Sequence, residues 1–224
     1  DSEKLIKLPD YISNDDAASI LLQGMTVEYL FERLYKIKKD ELFLFHAAAG
    51  GVGLIASQWA RSNGAKMIGT VSTQEKADLA KRNGCEFTIN YKLDNVYEKV
   101  LEITKDHGVN VVYDGVGKDT FDISLKCLNL RGLMVSFGQS SGMLEDVNLH
   151  RTFNPKSLYY TRPTLMHYIR NRKELELSSN RLFKKIKDGE IKPNIYKKLK
   201  LSEAADAHRL IQSRNSTGSI ILEP

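Results

Sequence analysis

Cysteine is scarce in this 224-residue chain: Cys85 and Cys127 are the only two, 42 positions apart. That spacing excludes a disulfide-stapled scaffold and reads as two reduced, buried thiols, in keeping with a cytoplasmic compartment. The five histidines, His46, His107, His150, His167 and His208, show neither HxxxH nor Cys/His ligand spacing, so no metal site is expected. No apolar run approaches the roughly 20 residues that a membrane-spanning helix needs. The opening stretch DSEKLIKLPD has no initiator Met and no apolar signal core. A chain that opens this way reads as a fragment of something longer. Internal repeats and low-complexity linkers are absent as well.

What is present suits a soluble globular protein with one sizeable core: 42% hydrophobic and 27% charged residues. Net charge is +5 with a pI near 9.0. The excess is late, thirteen Lys/Arg against six Asp/Glu from Arg170 to Arg214. These cations follow helical segments such as KELELSSNRLFKKIKDGEIK and are not interleaved with exposed aromatics. A solvated helix face is favoured over a nucleic-acid patch, with nucleic-acid binding retained as an alternative.

The chain's rhythm is strand, helix, strand. ISNDDAASILLQG opens a helix capped by Ser13 or Asn14, which Gly24 is expected to break before a second helix, TVEYLFERLYKI. Strands follow at 42–47, KMIGTV, EFTINY, VNVVYDGVG and LMVSFG. Between them lie the helices 52–63, TQEKADLAKRNG, NVYEKVLEITKDHG and DTFDISLKCLNLRG. Such alternation implies right-handed crossovers and an α/β, doubly wound parallel sheet of Rossmann type. Beyond Gly138 a loop leads to a sixth strand, SLYYTRP, stopped by Pro163. A long helical stretch at 165–189 and a C-terminal helix and strand, Ser219 to Leu222, complete the chain. The expected divisions are a helical lead-in at 1–40, a cofactor domain at 41–190 and a C-terminal segment at 191–224.

The chemistry concentrates in FLFHAAAGGVGLIASQWA, residues 43–60. Aligned as A-x-G-x-x-G, its turn is Ala48, Gly50 and Gly53, a dinucleotide fingerprint whose first glycine is replaced by alanine. Such a turn must leave a strand tightly, let backbone approach a pyrophosphate, and start a helix whose positive end faces the anion. A P-loop is excluded, because the helix continues Leu54, Ile55, Ala56 with no Gly-Lys-Ser/Thr. Cofactor type is set near the end of the second strand. Thr70, Val71, Ser72, Thr73 and then Lys76 stand there, with Glu75 the first acid, and hydroxyls followed by a cation favour NADP(H). Asp114 of VVYDGVG is either a ligand or a turn carboxylate, with the turn preferred.

With GAKMIGTVSTQEKADLAK, INY, VVYDGVG and RGLMVSFGQSSG, the run resembles the NADPH:quinone oxidoreductases, the zeta-crystallin-like branch of the medium-chain dehydrogenase/reductases. The resemblance covers nearly the whole chain, from GMTVEYL to SIILEP. It implies a Rossmann domain without most of a GroES-like catalytic domain, and a final strand that has lost its partner. It also implies that Gly50, Gly51, Val52 and Gly53 hold the pyrophosphate of NADPH. Ser72 and Lys76 would take the 2′-phosphate, and Tyr91 would lie near the adenosine half. Gly115, Val116, Phe137 and Gly138 would line the cleft, and Thr26 would face the nicotinamide. The activity implied is zinc-free hydride transfer to a quinone, poor in the fragment alone, with no catalytic acid or base visible. A homodimer paired through the sixth strand follows from the same resemblance. The alternatives are an alkenal or enoyl reductase of the same superfamily, or a non-enzymatic dinucleotide- or RNA-binding module.

Overall fold

The Ser13 hydroxyl accepts a hydrogen bond from the Asp16 amide at 3.1 Å and starts helix α1, Asn14–Glu28. This computed structural model describes residues 2–213 and 216–224; Asp1, Arg214 and Asn215, within the expected first and last segments, lie outside the described residues. The expected break at Gly24 does not occur. A Cβ there would meet both δ-carbons of Leu182 at 2.6 Å, so this glycine lets a later helix approach closely. α1 then runs on into a π-helical turn, Tyr29–Leu34.

The alternating unit follows: β1 Leu42–Phe45, α2 Gly51–Ser62, β2 Lys66–Val71, α3 Gln74–Arg82, β3 Phe87–Asn90, α4 Val96–Thr104, β4 Val109–Asp114, α5 Phe121–Cys127 and β5 Leu128–Ser136. After it come α6 Leu149–Phe153, β6 Tyr159–Thr161, α7 Leu165–Tyr168, α8 Arg172–Lys187, β7 Ile195–Lys200, α9 Ala204–Gln212 and β8 Ser219–Glu223. Every pairing in the six-stranded sheet is parallel, in the order β3-β2-β1-β4-β5-β6. The expected doubly wound sheet is therefore present. Its strand order reverses between β1 and β4, where a crevice opens beyond the carboxyl ends. Alternate residues feed two cores: Phe43, Phe45 and Tyr113 pack with Phe31 and Trp59, whereas Leu44, Ile68, Val112 and Met134 pack on the opposite face.

Several boundaries differ from expectation. The fifth helix stops at Cys127 instead of continuing through LNLRG, because buried Leu128 already pairs with Val109. Arg131 (φ 60°) then takes up a register shift before Leu133 rejoins the ladder. The loop after Gly138 contains α6. The stretch 165–189 is two helices, since the Asn171 side chain accepts from the Glu174 amide and caps α8 anew. The largest correction is β7, IYKKLK, which only Leu199 buries and which carries no apolar alternation. It pairs in parallel with β8, so the final strand has a partner.

The late cations are largely engaged: Arg172 with Glu176, Arg181 with Glu28, Lys184 with Asp188 and Lys185 with Glu190. Both cysteines are free and buried, and burial pushes each thiol up to about 12. Among the described residues no helix is long and apolar enough to cross a membrane.

Candidate functional site

The fingerprint turn makes its sharp reversal at Ala47, which sits in the left-handed region at φ 57°. Ala48, the residue aligned with the missing first glycine, is fully buried and packs over Gly69, where a Cβ would come within 2.5 Å of it. Gly50 caps α2 without a side chain, and the first helical amide to find a carbonyl is that of Leu54, on Gly50 at 2.9 Å. The N–H groups of Gly51, Val52 and Gly53 therefore point out of the helix end with no intrahelical acceptor. A Cβ at Gly53 would lie 2.5 Å from the Ala47 carbonyl and 2.6 Å from that of Ala48, so only glycine lets helix and strand close on each other. The result is an anion cradle at the switch point.

One strand over, Thr73 caps α3 by accepting from the Lys76 amide at 3.3 Å. This directs the first turn of α3, with half-buried Lys76, toward the end of β3, where exposed Tyr91 and Lys92 stand. Burial first, and then the positive charge of Lys92, lowers the Lys76 pKa from its ordinary value. Two cations thus converge beside Ser72. Lys92, which directly follows Tyr91 of the INY run, carries no sequence signal that pairs it with Lys76.

Thr70 does not face the crevice. Its hydroxyl accepts from the Ala47 amide at 3.2 Å and meets His46 Nδ1 at 3.0 Å. His46 Nε2 lies 2.9 Å from Ser124 Oγ, and Ser124 donates to Asp114 Oδ2 at 2.8 Å. Asp114 also accepts from the Val116 and Gly117 amides at 2.8 and 3.0 Å and from the Thr120 hydroxyl. Every donor in this chain has an acceptor when His46 is neutral and carries its proton on Nε2. Burial, which outweighs the opposing Asp114 charge, lowers the His46 pKa and favours that form. Asp114 is thereby the turn carboxylate, shaping Gly115–Gly117. The turn after β5 presses against it: a Cβ at Gly138 would lie 2.5 Å from the Gly115 carbonyl, and one at Gly115 would touch the Phe137 ring at 3.0 Å.

Beyond Phe137 a cleft of about 460 Å³ is lined by Thr26, Tyr29, Phe137, Arg162, Pro163, Thr164 and Leu165. Thr26 lines this cleft, and its hydroxyl donates to the Leu22 carbonyl of its own helix at 2.7 Å. The sequence-predicted residues therefore form one line across the carboxyl ends of the strands. Ser72, Lys76 and Tyr91 stand at β2 and β3, Gly50–Gly53 at β1, and Gly115, Val116, Phe137 and Gly138 at β4 and β5.

A parallel sheet of this order, with a glycine-bounded cradle at its switch point, defines a dinucleotide-binding domain of the doubly wound class. A family model described as zinc-binding dehydrogenase matches residues 51–184. Quinone oxidoreductase 1 of Escherichia coli (strain K12) is 50% identical over 225 residues, covering 100% of this chain and 69% of that protein. A 2-haloacrylate reductase of Burkholderia sp. is 44% identical, covering 100% of this chain and 68% of its own. The crystal structure of E. coli quinone oxidoreductase complexed with NADPH superposes with a TM-score of 0.94 at 50% identity, over 98% of this chain and 68% of that one. The chain belongs to the quinone oxidoreductase family of the medium-chain dehydrogenase/reductases. Zinc, named in the family description, does not fit the residues present: among the described residues no three His, Cys, Asp or Glu side chains gather as a ligand set.

Proposed function

We propose that this protein is an NADPH-dependent, zinc-free quinone reductase whose cofactor lies along the line of residues just described. The observation that carries the reading is the convergence of Lys76 and Lys92 beside Ser72, where an NAD site would place an acid. The Gly53 cradle fits a pyrophosphate, because a side chain there would fill the space its backbone needs. Bound NADPH supplies a hydride. The chain's residues hold and orient it: the amides of Gly51–Gly53 at the pyrophosphate, Tyr91 near the adenosine half, and Gly115, Val116, Phe137 and Gly138 along the cleft. Thr26 closes the nicotinamide end.

The NADPH complex of the E. coli relative and the names of the relatives support this assignment. The 2-haloacrylate reductase relative supports a wider acceptor range that includes conjugated alkenes. Quinones and such alkenes share an electron-poor carbon conjugated to a carbonyl, and both need hydride positioning more than a strong acid. Residues 41–190 would form the cofactor domain, with 1–40 as its helical lead-in and 191–224 leading toward catalytic residues. Free buried thiols suit a cytoplasmic location. The exposed edge of β6, with Tyr159 62% accessible, supports a homodimer formed by strand addition.

The test is NADPH consumption on adding 1,4-benzoquinone to protein expressed from the complete gene, with NADH in parallel. NADPH-selective, quinone-dependent oxidation is expected. Tight NADPH binding without quinone-dependent oxidation would refute the enzyme reading and favour a binding module.

A further inference from the structure

At the amino ends of β4 and β5, opposite the crevice, the surface opens into a second cavity of about 490 Å³. Tyr97 and Leu101, one turn apart on α4, supply one apolar wall, and Leu128 and Leu130, alternate residues of β5, supply another. Leu130 is 71% exposed, so the apolar surface here is left to water. The β5 wall is held in place. The Asn129 side-chain amide donates to Asn110, which in turn donates to Glu41 at the start of β1.

The polar feature of the cavity is Lys156. Its ammonium donates to the Lys126 and Leu128 carbonyls at 2.8 and 2.6 Å, which fixes it where α5 ends. An ammonium has three N–H donors, so one is left over, and among the described residues no carboxylate pairs with it. Burial lowers the Lys156 pKa from its ordinary value, against a smaller opposing contribution from Cys127. The fold therefore half-shelters a cation that it does not neutralise. Across the lining, two ammonium groups, Lys126 and Lys156, stand against one carboxylate, Asp106.

We propose that this cavity is a second binding site, for an amphipathic organic monoanion: a carboxylate carried on a flat or short-chain apolar body. The carboxylate takes the third N–H of Lys156, and the apolar body covers Leu101, Leu128, Leu130 and the Tyr97 ring. The volume is that of a small-molecule site, for which about 300–1,000 Å³ is usual. A polyanion suits it poorly. Asp106 opposes a second negative charge, and α4 and α5 both end here, so the backbone presents carbonyls and no amide cradle. The site stands whether or not the protein reduces quinones.

The probe is 2-naphthoate, followed by fluorescence anisotropy, with 2-naphthamide as a neutral analogue of the same shape. Both are titrated into protein expressed from the complete gene, with and without saturating NADP⁺. Naphthoate should bind saturably, about tenfold tighter than the amide, as a charge-assisted contact implies. NADP⁺ should not displace it. Lys156→Met should weaken naphthoate about tenfold by removing that contact. Because this variant also strips a donor from two carbonyls, Leu130→Asp is its companion: the side chain is exposed, so the fold does not depend on it. A like charge and a lost apolar contact should weaken naphthoate about fivefold or more there. NADPH affinity should change less than about twofold in either variant, since the two sites share no residue. Displacement by NADP⁺ would overturn the proposal, by placing the probe in the crevice. Uptake that does not saturate, equal binding of the amide, or naphthoate affinity unchanged by Leu130→Asp would overturn it too.

Discussion

Lys76→Ala tests cofactor choice most directly. In the structure the Lys76 ammonium is half-sheltered, and both burial and the neighbouring Lys92 disfavour its charge. A 2′-phosphate bound between the two would offset that penalty through its opposite charge. A charge-assisted hydrogen bond of this kind contributes roughly 1.5–3 kcal/mol. At about 1.4 kcal/mol per tenfold, Lys76→Ala should weaken NADPH by about 10- to 150-fold and leave NADH nearly unchanged. Lys92 is exposed and screened by solvent, so Lys92→Ala should cost NADPH no more than about fivefold. The two losses should not add: without Lys92, Lys76 is relieved of repulsion and holds the phosphate better. Calorimetric titration of both cofactors into each variant supplies the numbers, and raising the salt should erode the NADPH preference. Equal losses for NADPH and NADH would refute the reasoning and return Lys76 to the solvated face of α3.

Ala47→Gly should raise the melting temperature by about 2 °C: the left-handed alanine costs about 1–2 kcal/mol, and the extra chain entropy of glycine offsets part of the gain. A fall in melting temperature would show that Ala47 is not strained. His46 has a folded pKa below its unfolded value, so the unfolded chain binds the proton first and stability is lost as pH falls below about 6.5. Unfolding free energies should drop by up to about 1.4 kcal/mol per pH unit there, and His46→Gln should flatten that slope; an unchanged slope would mean that other groups carry it. The β6 edge should give a doubled mass by size exclusion with light scattering, and Tyr159→Lys should shift it to monomer; a wild-type monomer at high concentration would remove the strand-pairing model.

The sheet was legible because burial on both faces leaves short apolar runs, and Gly64 and Gly84, both at positive φ, mark helix ends as glycines after a helix should. The same rule misled at Gly24, where the missing side chain serves a helix–helix contact with Leu182 that no local pattern announces. β7 escaped notice because IYKKLK is exposed along most of its length and is a strand only through pairing with β8. In the fingerprint turn, the close approach of helix to strand was readable because it demands glycine at position 53. Thr70, one of the hydroxyls at the end of β2, turns inward to His46, a direction that a hydroxyl at a strand end does not show in sequence.

The site's polar groups divide into two sets, and the division explains how one surface can be both rigid and receptive. Beneath the crevice, Thr70, His46, Ser124, Asp114 and Thr120 satisfy one another completely, tying the end of β2 to the turn after β4. A low-dielectric interior makes such a closed chain stiff, because any member that moves leaves a buried donor or acceptor unpaired. Above it, the amides of Gly51–Gly53 are the groups without that closure. They face the crevice from positions that the closed network holds fixed. Binding then costs little reorganisation, since the donors already point where an anion would lie. The unspent hydrogen-bonding capacity of these three amides is therefore an argument for an anionic ligand at the turn after β1.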